Sequence, residues 1–142
     1  MITKKLLTAD DARAIAAAAE AEAKENGWAV TIAIVDDGGH LLWLQRLDDA
    51  PPISATLAPE KARTAAVGRR ESKLYEEMIN QGRSAFLSAP LVGMLEGGVP
   101  ILVDGQVVGA VGVSGVKSAQ DAQIAKAGIA ALLAPPPDLA SR

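Results

Sequence analysis

The chain is predicted to be an α+β protein: one antiparallel sheet of about five strands, covered by helices. Two observations carry this. Asp-Gly turns stand between apolar runs at Asp36-Asp37-Gly38-Gly39 and at Asp104-Gly105, and such turns join antiparallel strands. The helical patterns come in blocks and do not alternate strictly with strands, which argues against a parallel sheet. A third observation bears on assembly. The 142 residues are 49% hydrophobic but only 3% aromatic, and alanine supplies much of the total. Such a core packs closely but fills little volume, so a homo-oligomer is expected.

Thr8-Ala9-Asp10-Asp11 reads as a capping box opening the first helix, Thr8–Asn26. Ala12, Ile15, Ala16, Ala19 and Ala23 recur at helical spacing behind it, and Asn26-Gly27 ends it. Trp28–Asp36 and His40–Arg46 form a hairpin, and Pro51-Pro52 rules out a strand beyond it. Ser54–Arg70 is helical with Leu57, Ala58, Ala62, Ala65 and Ala66 inward. Placing the cap at Thr56 puts Pro59 in the first turn, where its missing N–H is harmless. Ser72 caps a shorter helix, Lys73–Asn80.

Arg83–Leu95 reads as a loop that tucks apolar side chains inward, with a short strand near Val92–Glu96. Val99–Val103 and Gln106–Ser114 make the second hairpin. Gly109 and Gly112 fall on opposite faces of its return strand, where each admits another backbone or a ligand. Ser118-Ala119-Gln120-Asp121 is a capping box for the last helix, whose buried stripe is Ala122, Ala125, Ile129 and Leu132. Pro135-Pro136-Pro137 stops that helix, leaving Pro135–Arg142 as a flexible tail to a single domain spanning 1–142.

Composition excludes several function classes. A net charge of −3 offers no basic footprint for nucleic acid. No apolar run reaches membrane-spanning length, and no signal-length segment opens the chain, so a cytoplasmic location is expected. With no cysteine there is no thiolate chemistry, and a lone histidine, His40, makes no multi-histidine metal site. His40 follows a tight turn, either as an exposed structural residue or in a single-histidine role such as a proton relay or axial haem ligand. Asp36, Asp37, Asp48 and Asp49 lie at the ends of one hairpin, where acidic residues suit turns without any metal. Gly109-x-x-Gly112-x-x-Gly115 lacks the spacing and the surrounding βαβ unit of a dinucleotide fingerprint.

The last helix begins just after Gly115, and its N-terminal N–H groups suit a carboxylate or phosphate, for which Asp121 competes. Lys61 borders the inward stripe of its helix. Its head either binds an anion or acts as a base in a cleft, or it snorkels to solvent.

Several segments, in order, resemble one family. They are Val35-Asp36-Asp37-Gly38-Gly39-His40-Leu41 (VVDxGGxL), Gln45–Ala50 (RMDGA), Lys61–Ala66 (KAxTAA), Gly97–Ile101 (GGxPI), Gly109–Ser114-Gly115 (IGAIGVSG), and Asp121 with Ala127-Gly128 (DxxxAxAG). The family is the GlcG/HbpS-like one, also called haem-binding or haem-degrading, to which the C-terminal domain of PduO-type proteins is similar. The resemblance implies a profilin-like α/β/α sandwich assembling into dimers up to octamers. It implies a small-molecule ligand, haem or an anionic metabolite, and a place among bacterial catabolic genes. Haem-binding members typically use a histidine on the N-terminal helix, and Thr8–Asn26 has none. Asp49 stands where the motif has glycine.

The expected site lies between the Lys61 helix, the Glu96-Gly97-Gly98 loop and the Ser114–Ser118 turn. Lys61 and Arg63 would pair with ligand carboxylates, Gly97 and Gly98 would admit the ligand, and Ser114 and Gly115 would hold an anion. The alternative is a catabolic enzyme acting on a small carboxylated substrate, with Glu96, Lys61 and His40 as its acid–base groups.

Overall fold

In a computed structural model, described for residues 1–134, four strands form a single antiparallel sheet between two helical layers. The elements are α1 (Ala9–Glu25), β1 (Thr31–Asp36), β2 (Leu41–Arg46), α2 (Ser54–Gly68), α3 (Ser72–Asn80), a 3₁₀ turn (Ser84–Ser88), β3 (Gly98–Val103), β4 (Gln106–Ser114) and α4 (Ser118–Leu133). Strand order is β2-β1-β4-β3, all neighbours antiparallel. The expected fifth strand near Val92–Glu96 does not form, so the sheet has four strands. That segment turns through bends beneath α2, where Gly93 lies against the Glu60 carbonyl and a Cβ would come within 2.4 Å of its oxygen. The tail expected from Pro135 lies outside the described residues.

Pleating divides the core. Ile32, Ile34, Val111, Val113 and Ile101 face α1 and α4, meeting the α1 stripe Ala12, Ile15, Ala16, Ala19 and Ala23. Ala33, Val35 and Ala110 face the other way and meet Ala58, Ala62, Ala65 and Ala66 of α2. All of these alanines are under 2% exposed, so the α2 layer is built with almost no bulk. Glycines set that closeness. A Cβ on Gly112 would stand 2.1 Å from the Ala58 carbonyl oxygen, and one on Gly98 2.1 Å from that of Lys61. Gly109 on the opposite face would meet Leu7 and the Val35 carbonyl. The expected opposite-face placement holds, and internal packing is what fills both gaps.

Three helix starts differ from expectation. α2 begins at Ser54, not after Thr56, because the Ser54 hydroxyl is buried against Thr31 Oγ1 at 2.7 Å and the Pro51 carbonyl at 2.6 Å. Those bonds outweigh the backbone bond that Pro59 removes inside the helix. α4 starts one residue earlier than a Ser118 cap implies. Lys117 is its N-cap, and the Gln120 side chain accepts the Lys117 N–H at 3.3 Å. Ser72 likewise opens α3 instead of capping it, since its hydroxyl takes the Gly98 N–H at 2.8 Å.

Candidate functional site

The residues expected to form a site divide between the two ends of the sheet. Lys61, Glu96, Gly97, Gly98, Ser114 and Gly115 gather where β4 runs into α4. Lys61 is only 3% exposed, and its ammonium donates to the Val113 carbonyl at 3.0 Å and to Asp121 Oδ2 at 3.1 Å. Asp121 is 2% exposed, and its other oxygen accepts the Val116 N–H at 3.2 Å. One ion pair therefore ties α2 to the end of β4 and the first turn of α4. Burial pushes the Asp121 carboxyl above its ordinary value, while Lys61 and the Val116 N–H pull it back and Glu96 adds to the rise. The turn expected to hold a ligand anion thus holds the chain's own carboxylate.

The glycines here make room for protein. Gly97, at φ 132°, leaves space that a Cβ would take from Lys61 Nζ at 2.9 Å. Gly115, at φ 145°, presses on the Ala29 carbonyl, 2.5 Å from where its Cβ would stand. Ser114, buried, pairs in register with Thr31. Glu96 is the member that reaches outward: its side chain is 19% exposed, 3.9 Å from Lys73 Nζ, and its N–H donates to Glu76.

Arg63 and His40 lie at the other end. Asp36 pairs with Gly109 while Thr31 pairs with Ser114, so the hairpin tip stands roughly 17 Å of strand from the end of β4 where the Lys61 pair lies. The His40 side chain is 83% exposed and its Nδ1 lies 3.2 Å from Asp36 Oδ1. Asp36 Oδ1 also accepts the N–H groups of Gly38 and His40, which fixes the turn. Arg63 packs its stem beneath Gly39. The trio Glu96, Lys61 and His40 is therefore not assembled within one chain. Asp48 and Asp49 sit at the opposite end of the hairpin from Asp36 and Asp37, and among the described residues no three acidic, histidine or cysteine groups converge.

Sequence reasoning missed a cavity. It measures 470 Å³ and opens where the end of α1, the entry to β1 and the end of β2 meet, with Glu20, Lys24, Trp28, Gln45, Arg46 and Asp48 on its walls. Its polar groups are organised. Lys24 Nζ lies 2.7 Å from Glu20 Oε1, and Gln45 donates to the other Glu20 oxygen at 3.2 Å. Those bonds hold the Glu20 carboxyl below its usual range and raise the Lys24 ammonium. Arg46 donates through Nε and Nη2 to the Ala50 carbonyl, closing the loop around Asp49, whose φ is 66°. The sequence signal was present in Gln45–Ala50, but α1 contributes its side chains from twenty-five residues upstream, where no local pattern shows them.

None of the cavity walls named carries a histidine, cysteine, methionine or tyrosine. One chain alone therefore brings no strong iron ligand to it, although its cations suit carboxylates. No helix among the described residues is long and apolar enough to cross a membrane.

The comparisons with known proteins agree with one another. The family described as "Haem degrading protein HbpS-like" matches residues 7–130. The GlcG protein of Escherichia coli K12 is 61% identical over 114 residues, covering 80% of this chain and 85% of that protein. Among solved structures, Klebsiella pneumoniae protein ORFY superposes with a TM-score of 0.88 at 29% identity, covering 96% of this chain and 97% of that one. The PduOC:haem complex superposes with a TM-score of 0.80 at 30% identity, covering 89% and 95%.

Proposed function

Since the chain belongs to the HbpS-like family, we propose that it is an oligomeric, cytoplasmic small-molecule-binding protein whose ligand is an anionic metabolite or haem. The observation that carries the reading is the cavity beside Trp28. Its 470 Å³ lies within the usual range for small-molecule sites, and it combines an aromatic wall with paired charges of both signs. Lys24 and Arg46 would meet ligand carboxylates, and Glu20 and Asp48 would accept its hydrogen-bond donors. The haem part of the reading is supported by the relative solved as a haem complex. The cations here would serve propionates. Lys61, Gly97, Gly98, Ser114 and Gly115 then belong to the packing where β4 enters α4, with Glu96 beside Lys73 and Arg63 beneath the hairpin tip, and none of them lines the cavity.

A haem titration followed by absorbance tests this on wild type, Arg46→Ala and His40→Ala. A saturable Soret shift that weakens about tenfold in Arg46→Ala supports the assignment. Loss of the shift in His40→Ala makes that residue the iron ligand. No saturable shift removes haem, and a thermal-shift screen of small carboxylic acids then decides the anionic-metabolite half.

The second reading is an enzyme processing a small carboxylate. In its favour is the raised Asp121 carboxyl beside Lys61 and Glu96, the kind of perturbed cluster that acid–base chemistry uses. Turnover of a carboxylic acid by wild type, lost in Glu96→Gln, would establish it.

A further inference from the structure

A second cavity, of 270 Å³, lies between α3 and the segment around the 3₁₀ turn. It shares no wall residue with the cavity beside Trp28. The segment Arg83–Leu95 is expected from its sequence to tuck its apolar side chains inward, yet Leu87 is 64% and Val92 73% exposed. Those two, with Leu91, Leu95 and the buried Met94, make one side of the cavity, and Ile79 of α3 belongs to the other.

Both sides are held in place. The Tyr75 and Phe86 rings stack at 5.1 Å, which ties the 3₁₀ turn to α3. Gly93 lies hard against the backbone of Glu60 and Lys61. The Ser72 hydroxyl donates to the Leu95 carbonyl, and the Glu96 N–H donates to Glu76 Oε2 at 3.2 Å. A cavity formed in advance loses little ordering free energy when a ligand enters.

Its polar wall is acidic. Glu76 is half-buried, and among the described residues the Glu96 N–H is its one hydrogen-bond partner and no cation pairs with it. Lys73, one turn earlier on α3, is engaged by Glu77 at 3.7 Å and by Glu96 at 3.9 Å. Three carboxylates therefore meet one ammonium here. Arg70 and Arg83 lie over the Tyr75 and Phe86 rings, at 5.3 and 5.6 Å, and neither lines the cavity. The Asn80 carboxamide and the carbonyl end of α3 add negative partial charge to the same wall.

We propose that this cavity binds a small organic cation, a primary ammonium on a short apolar chain. The ammonium pairs with Glu76 and donates to Asn80, while the chain lies among Ile79, Leu91 and Met94. The excess of carboxylate turns anions away. At 270 Å³ the space is just under the range usual for drug-sized ligands, so the chain is a few carbons long. The proposal does not depend on the anionic ligand or haem read for the cavity beside Trp28.

Hexylamine is the probe, charged at neutral pH as lysine is, with hexanoate and hexanol as its anionic and neutral counterparts. The chain has three methionines, so methyl-labelled protein reports Met94 as one of three signals, assigned with Met94→Leu. Expected are a saturable shift of the Met94 methyl with hexylamine, none with hexanoate, and binding at least about tenfold weaker in Glu76→Gln and in Leu87→Lys. Glu76→Gln keeps an acceptor for the Glu96 N–H and Leu87 is exposed, so both variants should keep a native circular dichroism spectrum. Leu87→Lys decides alone if Glu76→Gln does not fold. An equal response to hexylamine and hexanol would make the cavity an unselective apolar groove and overturn the proposal. So would the lack of a saturable shift, or binding indifferent to both variants. A Met94 signal that moves with protein concentration alone would show a second copy covering the groove, and would overturn it too.

Discussion

Replacing Lys61 by methionine keeps the stem of the side chain and removes its charge. Asp121 then remains at 2% exposure with only the Val116 N–H to offset its burial. Breaking a buried pair in this way costs about 3–5 kcal/mol. The cost should depend on pH, because Asp121 escapes it by taking a proton. Its carboxyl is already raised from 3.8 by burial, and losing Lys61 raises it further. The sign is fixed. Below the unfolded value both states are protonated and the variant loses least. As pH climbs from 3.8 towards the folded value, the unfolded chain ionises and the folded one does not. Wild type shares this loss only up to its own folded value, so between that value and the variant's higher one the variant loses up to about 1.4 kcal/mol per pH unit relative to wild type. At roughly 3 °C per kcal/mol for a chain of this size, the melting temperature should fall by about 10 °C at pH 8 and clearly less at pH 5. Urea denaturation across that range measures it. A loss under about 1 kcal/mol at pH 8, or a loss equal at both pH values, would refute the buried-pair reasoning.

The remaining predictions concern the backbone. Gly112→Ala drives a Cβ to 2.1 Å from the Ala58 carbonyl oxygen, and since backbone cannot yield cheaply, it should cost about 3 kcal/mol or more in chemical denaturation. Asp49→Gly relieves a left-handed residue at φ 66° and should stabilise by about 0.5–1 kcal/mol; a loss would show that the Asp49 side chain holds the loop.

The hairpins and the alanine faces were readable because turn chemistry and periodicity are local. The first-helix capping box, Thr8 with Asp11, was as well. What escaped depended on contacts distant in sequence. Lys61 could be placed at the border of a buried stripe, but not paired, since Asp121 lies 60 residues on. A clue existed: Asp121, Ala125 and Gly128 share one face of α4, and a carboxylate on an inward face requires a partner. Pro59 and local capping point to a start of α2 after Thr56, whereas the buried Thr31 hydroxyl, 23 residues upstream, fixes Ser54. The fifth strand was expected from an apolar segment that instead wraps under the helix at Gly93. The cavity draws its walls from α1 and from β2, and no window of sequence contains both.

Both tryptophans of the chain belong to that corner. Trp28 lines the cavity, and the Trp43 indole points its N–H to Gln45, which lines it as well, at 3.4 Å. Intrinsic fluorescence is therefore a local signal in this protein. Emission should respond to a molecule entering beside Trp28, yet stay silent to events around Lys61. The fold carries its own optical probe at one end only, so an observed change in emission would also say where the change occurred.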